Sequence, residues 1–209
     1  MTLLNKLFNF TLYIASKYNI DESHNIMHSM NVLYYANKIF ESEVTKAPYI
    51  KNQENLIYVT SILHDMCDKK YMNEEEGINN INEFLESDSF LSPEQLAISN
   101  KIMATMSYSK VKKNGFPQLG NYQKAYNIVR ESDLLTAYDF DRCLIYQMHV
   151  NNDNYLDAFN NAEDLFNNRV LKHNEDELFL LDYSKYESIV LHQQALDRIA
   201  FHKRMISKF

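Results

Sequence analysis

Apolar residues return every three to four positions along most of the chain, the spacing of one face of an α-helix. Leu3, Leu7, Phe10 and Ile14 predict a first helix over residues 3–18. A second is expected from an N-cap at Ser23 to about residue 42, with Ile26, Met30, Leu33 and Phe40 on one side and Val32, Ala36 and Ile39 beside them. A polar break with Pro48 follows. Leu56, Val59, Leu63 and Met66 then mark a third helix from about Gln53, and residues 66–72 form the bend that ends it. Ile78, Ile81 and Leu85 predict a short helix. Ser92-Pro93-Glu94-Gln95 reads as a capping box with Pro at the first helical position, opening a helix through about Met106.

Residues 108–121 collect turn formers and lysines and read as a surface loop. Helix resumes over residues 122–138, placing Tyr126, Val129, Asp133 and Ala137 near one face, and two more helices cover 140–150 and 155–173. Ser184-Lys185-Tyr186-Glu187 reads as a second capping box, starting a last helix through Ile189, Val190, Leu196 and Ile199. There is no internal repeat and no low-complexity linker. The expected fold is all-α, a single compact domain of about eight or nine helices over residues 1–209.

Composition agrees. Three Gly and three Pro are too few for a sheet fold with many tight turns. A formal charge of −7 argues against a broad nucleic-acid-binding face, so no nucleic-acid polymer is expected as a partner. Two cysteines, Cys67 and Cys143, do not make a disulfide framework, and no stretch is apolar enough to span a bilayer. The first residues lack the pattern of a signal peptide. A cytoplasmic protein with no membrane partner is the expectation, and a homodimer is compatible with it.

Chemistry concentrates in three segments: Ser23-His24-Asn25-Ile26-Met27-His28, Leu63-His64-Asp65-Met66-Cys67-Asp68, and Glu131-Ser132-Asp133-Leu134. His28, His64, Asp65 and Asp133 together supply two imidazoles and two carboxylates. That set suits one borderline-to-hard divalent ion with positions left for water and a substrate oxygen. Successive residues of a helix point apart, so His64 and Asp65 share an ion only where their helix ends and the backbone bends. His24, four residues before His28, is expected one helical turn away, able to donate to a phosphate or support a bound water. Lys70 and Arg130 are candidate phosphate clamps. Lys110, Lys112 and Lys113 are weighed as a lid, Tyr108 and Tyr138 as surfaces for a base. Cys67 and Cys143 read as packing, and His149, His173, His192 and His202 have no spacing that implies chemistry.

The order of these segments resembles that of the HD-domain metal-dependent phosphohydrolases, whose pattern is H…HD…D. The likeness is greatest to the small bacterial HD-domain nucleotide pyrophosphohydrolases. Residues 23–32 resemble the family's opening helix, and residues 62–71 its HD segment, including the acid three positions on and the lysine after it. Met106-Ser107-Tyr108 and residues 128–137 resemble its later segments, so the likeness covers roughly residues 10–150. It implies one divalent metal ion, Mn²⁺ first, with Fe²⁺, Co²⁺, Ni²⁺, Zn²⁺ or Mg²⁺ as alternatives, on His28, His64, Asp65 and Asp133. It also implies a nucleotide substrate and an acid–base role for Asp68. Departures fall at Asn31, where the family often has Arg, and at Leu134, Leu135 and Thr136, where it commonly has Arg, Leu and Asp. These departures favour, as the alternative, a catalytically weak or inactive nucleotide sensor on the same frame; a plain helical scaffold is the third reading.

Overall fold

The structure, a computed structural model, describes residues 2–87, 89–150 and 154–208. Among the described residues there are ten α-helices, three short 3₁₀ segments and no strand. In chain order the helices are α1 (Leu3–Lys17), α2 (Ile26–Val44), α3 (Glu54–Leu63), α4 (Glu74–Ser87), α5 (Pro93–Thr105), α6 (Tyr108–Asn114), α7 (Gln123–Thr136), α8 (Phe140–Val150), α9 (Tyr155–Asn168) and α10 (Asp182–Ile206). No described helix is long and apolar enough to cross a membrane.

The element around which the others pack is α3. From Leu56 to Leu63 every residue but the half-buried Tyr58 is buried. A helix that is apolar on all sides belongs inside a protein rather than on its surface. The expected stripe through Leu56, Val59 and Leu63 is one of its faces; Ile57, Thr60, Ser61 and Ile62 fill the rest. Leu56 and Ile57 join a core with α2, α7 and the C-terminal helices. Val59, Ile62 and Leu63 join a second core with Leu7 and Ile14 of α1, Ile81 and Leu85 of α4, and Met103 of α5. The polar side chains in this interior are partnered across helices: Thr60 shares a hydrogen bond of 2.9 Å with Ser99, and the Ser29 hydroxyl donates to the Ile62 carbonyl at 2.9 Å.

The line that α2 buries is His28, Ser29, Val32, Ala36, Ile39, Phe40 and Glu43, with Met30 exposed. It is rotated from the expected Ile26–Met30–Leu33 stripe because α2 lies along both α3 and α7. Small residues at 29 and 36 let the backbones approach, and His28 is turned inward. The helix also begins later than expected. Asn25 is the N-cap, its side chain accepting from the Met27 N–H at 3.3 Å. Ser23 is engaged elsewhere, its N–H and its hydroxyl both donating to Asp21 Oδ1, at 2.8 and 2.5 Å. His24 therefore stands in a loop before the helix.

Three further expectations change. Half of the 108–121 loop is helix α6, ended by Gly115 at φ +73°, a conformation that favours glycine. Its lysines are fastened rather than free: Lys110 pairs with Glu74 at 2.8 Å and Lys112 with Asp176 at 2.9 Å, while Lys113 is exposed. The helix begun at 155 stops at Asn168, and Arg169 leaves the helical conformation before a 3₁₀ turn over Val170–Lys172. The last helix begins at Asp182, and Ser184 is buried in its first turn, so the second capping box does not form. The carboxylate of Glu131 in α7 holds the segment before the helix, accepting from the N–H groups of Leu180 and Leu181 at 2.9 and 3.1 Å. Toward the interior α10 presents Ser184, Ser188, Ala195 and Ile199, leaving Ile189, Val190 and Leu196 to solvent.

Candidate metal centre and its cleft

Three separate elements deliver the two imidazoles and two carboxylates. His28 enters from the first turn of α2, and Asp133 from α7, which α2 packs along. His64 is the C-cap of α3, and Asp65 follows in a turn in which Met66 N–H bonds to the Leu63 carbonyl and Asp68 N–H to the Asp65 carbonyl. This bend turns the adjacent His64 and Asp65 side chains toward one place. The Nε2 atoms of His28 and His64 are 3.2 Å apart. Asp65 lies 3.1 Å from His28 Nε2 and 3.3 Å from His64 Nε2; Asp133 Oδ1 lies 3.4 and 3.5 Å from the same nitrogens.

Whether these residues fit a divalent ion turns on which imidazole nitrogens are free. His64 Nδ1 stands 2.9 Å from the Ser61 carbonyl, which can only accept, so Nδ1 carries a proton and Nε2 faces the centre as a donor atom. His28 differs. Arg142 Nη1 stands 2.7 Å from its Nδ1 and 3.0 Å from the Ser23 carbonyl. A guanidinium only donates, so this contact places the His28 proton on Nε2. Ligation through Nε2 needs that proton on Nδ1, where Thr136 Oγ1 at 3.4 Å can accept it, with Arg142 left on the Ser23 carbonyl alone. The donor set fits, and Arg142 opposes it at one contact.

The charges reinforce one another. Burial disfavours a charged His64, but the Asp65 and Asp133 carboxylates overcome this and raise it to about 9. Burial would likewise raise both acids, yet His64 and His28 hold Asp65 and Asp133 below the usual carboxylate range. A compact, dianionic pair of carboxylates is thus balanced by imidazole protons that a cation can replace.

Two neighbouring cavities meet at these side chains: His28 lines the larger, His64 the smaller, and Asp65 and Asp133 both. The larger, of about 370 Å³, runs past His24, Tyr108, Tyr146 and Phe166; the smaller, of about 180 Å³, runs past Lys69, Ser107, Ser109 and Lys110. Asp65, Asp68, Lys70, Ser107, Asp133 and Arg169 border both.

Asp68 is partly exposed at this border. Its Oδ1 accepts from the Lys70 N–H at 2.9 Å, and its Oδ2 stands 3.6 Å from Lys70 Nζ. The Lys70 ammonium also reaches His24 Nε2 at 3.0 Å and lies 5.5 Å from the centre of the Tyr146 ring. The hydroxyls of Ser23 and Tyr71 both donate to Asp21, and both oxygens face His24 Nδ1, at 2.5 and 3.0 Å. His24 therefore donates from Nδ1 and accepts from Lys70 at Nε2. Burial, with Lys70 and Arg142 nearby, lowers its pKa to about 4, so it is neutral. It holds Lys70 in place.

Arg130 is not in the cleft. It is fully buried and lines neither cavity, donating to the Leu178 carbonyl and to Glu131 Oε1 at 3.3 Å. Three-residue spacing on α7 places Arg130 and Asp133 about one turn apart without bringing them to the same partner. Tyr138 is buried against His173 and Phe179, away from the two cavities, and one face of Tyr108 is covered by Arg169. Cys67 is buried with its thiol pushed to about 12 by burial, and Cys143, raised to about 11 by burial, lines the larger cavity. The residues missed from sequence are Arg142, Arg169 and Tyr146. They lie on α8 and at the end of α9, far along the chain, with no local motif to mark them.

No family model matches the chain, and no curated protein matches it. Among solved structures, a crystal structure of a Lactobacillus plantarum protein, determined as a structural-genomics target, is similar over 100% of both chains, with a TM-score of 0.68 and 17% identity. That likeness is one of fold.

Proposed function

We propose that the protein is a metal-dependent phosphohydrolase acting on a nucleotide or a related phosphate ester, with Mn²⁺ as the first candidate ion. The observation that carries this reading is the convergence of His28, His64, Asp65 and Asp133 from three elements, where two cavities lined by Lys70 and Arg169 meet. These four side chains would hold the ion. When bound, such an ion acidifies a water molecule and polarises a phosphoryl oxygen near neutral pH.

The chain's own residues supply the rest. The Asp68 carboxylate borders both cavities and would take a proton from water or return one to a leaving oxygen. Lys70, fixed by His24 and Asp68, offsets charge on phosphoryl oxygens. Phe166 and the Tyr146 ring give the larger cavity an apolar wall for the rest of the substrate. The two cysteines are unpaired, in keeping with a cytoplasmic protein.

A nucleotide panel assayed with Mn²⁺ tests the reading. Release of phosphate or pyrophosphate by the wild-type chain, lost in Asp133→Ala and Asp68→Asn, is the expected result. Inactivity on every nucleotide and cyclic dinucleotide with each divalent ion would overturn it.

A further inference from the structure

Several cations of this chain have a carboxylate partner: Lys110 has Glu74, Lys112 has Asp176, Arg130 has Glu131 and Arg198 has Asp141. Arg169 does not. Its guanidinium makes no hydrogen bond and no ion pair with any described residue, and its Nε is buried without an acceptor. What it has is a platform. Its central carbon lies 4.5 Å from the centre of the Tyr108 ring. Tyr108 is itself pinned, its hydroxyl donating to Asp176 at 3.1 Å and accepting from Lys112 Nζ at 3.0 Å. The side chain borders both cavities, beside Asp65 and Asp133.

A half-buried guanidinium with no acceptor costs the fold the hydration it gives up. One stacked contact over tyrosine returns only part of that. The purely structural account is that Arg169 balances the charge of Asp133, yet Asp133 already has two imidazoles within 3.5 Å and forms no ion pair with Arg169. A rigid fork of N–H donors facing a cavity is the complement of two oxygens of one phosphoryl group. We propose that Arg169 is an anion-binding residue that holds a phosphoryl group of the ligand beside the candidate metal centre. In its substrate this inference rests on the phosphohydrolase reading. The anion site itself is defined by the arginine, its platform and the cavities.

Calorimetric titration of the full chain with inorganic pyrophosphate, with and without Mn²⁺, tests this in the wild type, Arg169→Gln and Arg169→Lys. Mn²⁺ affinity is measured separately by competition with a chelator, and melting temperature for each protein. Arg169→Gln is expected to hold Mn²⁺ as well as the wild type or better and to melt at the same or a higher temperature. It should bind pyrophosphate about tenfold or more weakly. Arg169→Lys, which restores the charge but not the fork, should recover part of the loss. Unchanged pyrophosphate affinity in Arg169→Gln overturns the proposal, as does a wild type that binds no pyrophosphate in either condition. A lowered melting temperature with anion binding intact assigns Arg169 a structural role and also overturns it. Failure of the phosphohydrolase reading is distinct: a wild type that takes up no divalent ion, yet loses pyrophosphate affinity on Arg169→Gln, supports the anion site alone.

Discussion

A β-carbon on Gly77 would stand 2.6 Å from the Cα of Cys67 and 2.7 Å from its Cβ. The first of these is a backbone atom in the turn that carries Asp65 and Asp68, so α4 lies against that turn with no room for a methyl group. Gly77→Ala should destabilise the protein by about 1–3 kcal/mol, the usual cost of overpacking, despite its better helix propensity. Urea unfolding measures the loss. If the turn yields rather than α4, Mn²⁺ affinity falls as well; unchanged stability would contradict the close packing.

Arg142 competes with any ion for His28, since its Nη1 occupies Nδ1 at 2.7 Å and favours the wrong tautomer for ligation. Arg142→Gln removes that donor and a positive charge, and offers a carbonyl to accept from Nδ1. Mn²⁺ affinity should rise by about fivefold, corresponding to roughly one hydrogen bond of 1 kcal/mol. Chelator competition measures it. Weaker binding would mean that Arg142 supports His28 as a ligand.

Arg130 and Glu131 form a buried pair, and Glu131 also satisfies two backbone N–H groups ahead of α10. Glu131→Ala leaves a buried cation and two donors unpartnered, which should cost about 3–5 kcal/mol. The double variant Arg130→Met, Glu131→Gln should recover much of this. Mn²⁺ affinity of the folded double variant should match the wild type, because neither residue lines the cavities or contacts the four candidate ligands.

His173 is fully buried among Tyr108, Tyr138 and Phe179, with neither ring nitrogen hydrogen-bonded. Burial, with Arg169 nearby, lowers its pKa from 6.5 to about 4. Between these values the unfolded chain holds a proton that the folded chain does not, so stability falls as pH falls through that range. The His173 contribution reaches on the order of 3 kcal/mol near pH 4. Unfolding free energies measured from pH 7.5 to 4.5 should decline less steeply in His173→Phe than in the wild type; parallel curves would refute the assignment.

Periodicity made most helices legible, because a helix with one wet face repeats its apolar positions. It misjudged which face of α2 and α10 turns inward, since Ser29, Ser184 and Ser188 are chosen for close approach rather than for hydrophobicity. The first capping box formed as expected, Ser92 and Gln95 bonding reciprocally at 3.2 Å, while the second did not, because the helix starts at Asp182 and Ser184 is buried inside it. Of the candidate site, His28, His64, Asp65 and Asp133 were legible as an ordered set and the fold brings them together. Lys70 and Asp68 lie beside them. Arg130 was misassigned because spacing along α7 puts it near Asp133 without saying that its guanidinium reaches to the Leu178 carbonyl and Glu131. Arg142 and Arg169 were illegible because only tertiary packing carries α8 and the end of α9 to these cavities.

The enclosure of α3 has a consequence for how the protein breathes. Its amides can exchange with deuterium only when neighbouring helices part, so they should be among the slowest in the molecule. His64 and Asp65 are attached to the end of this protected segment.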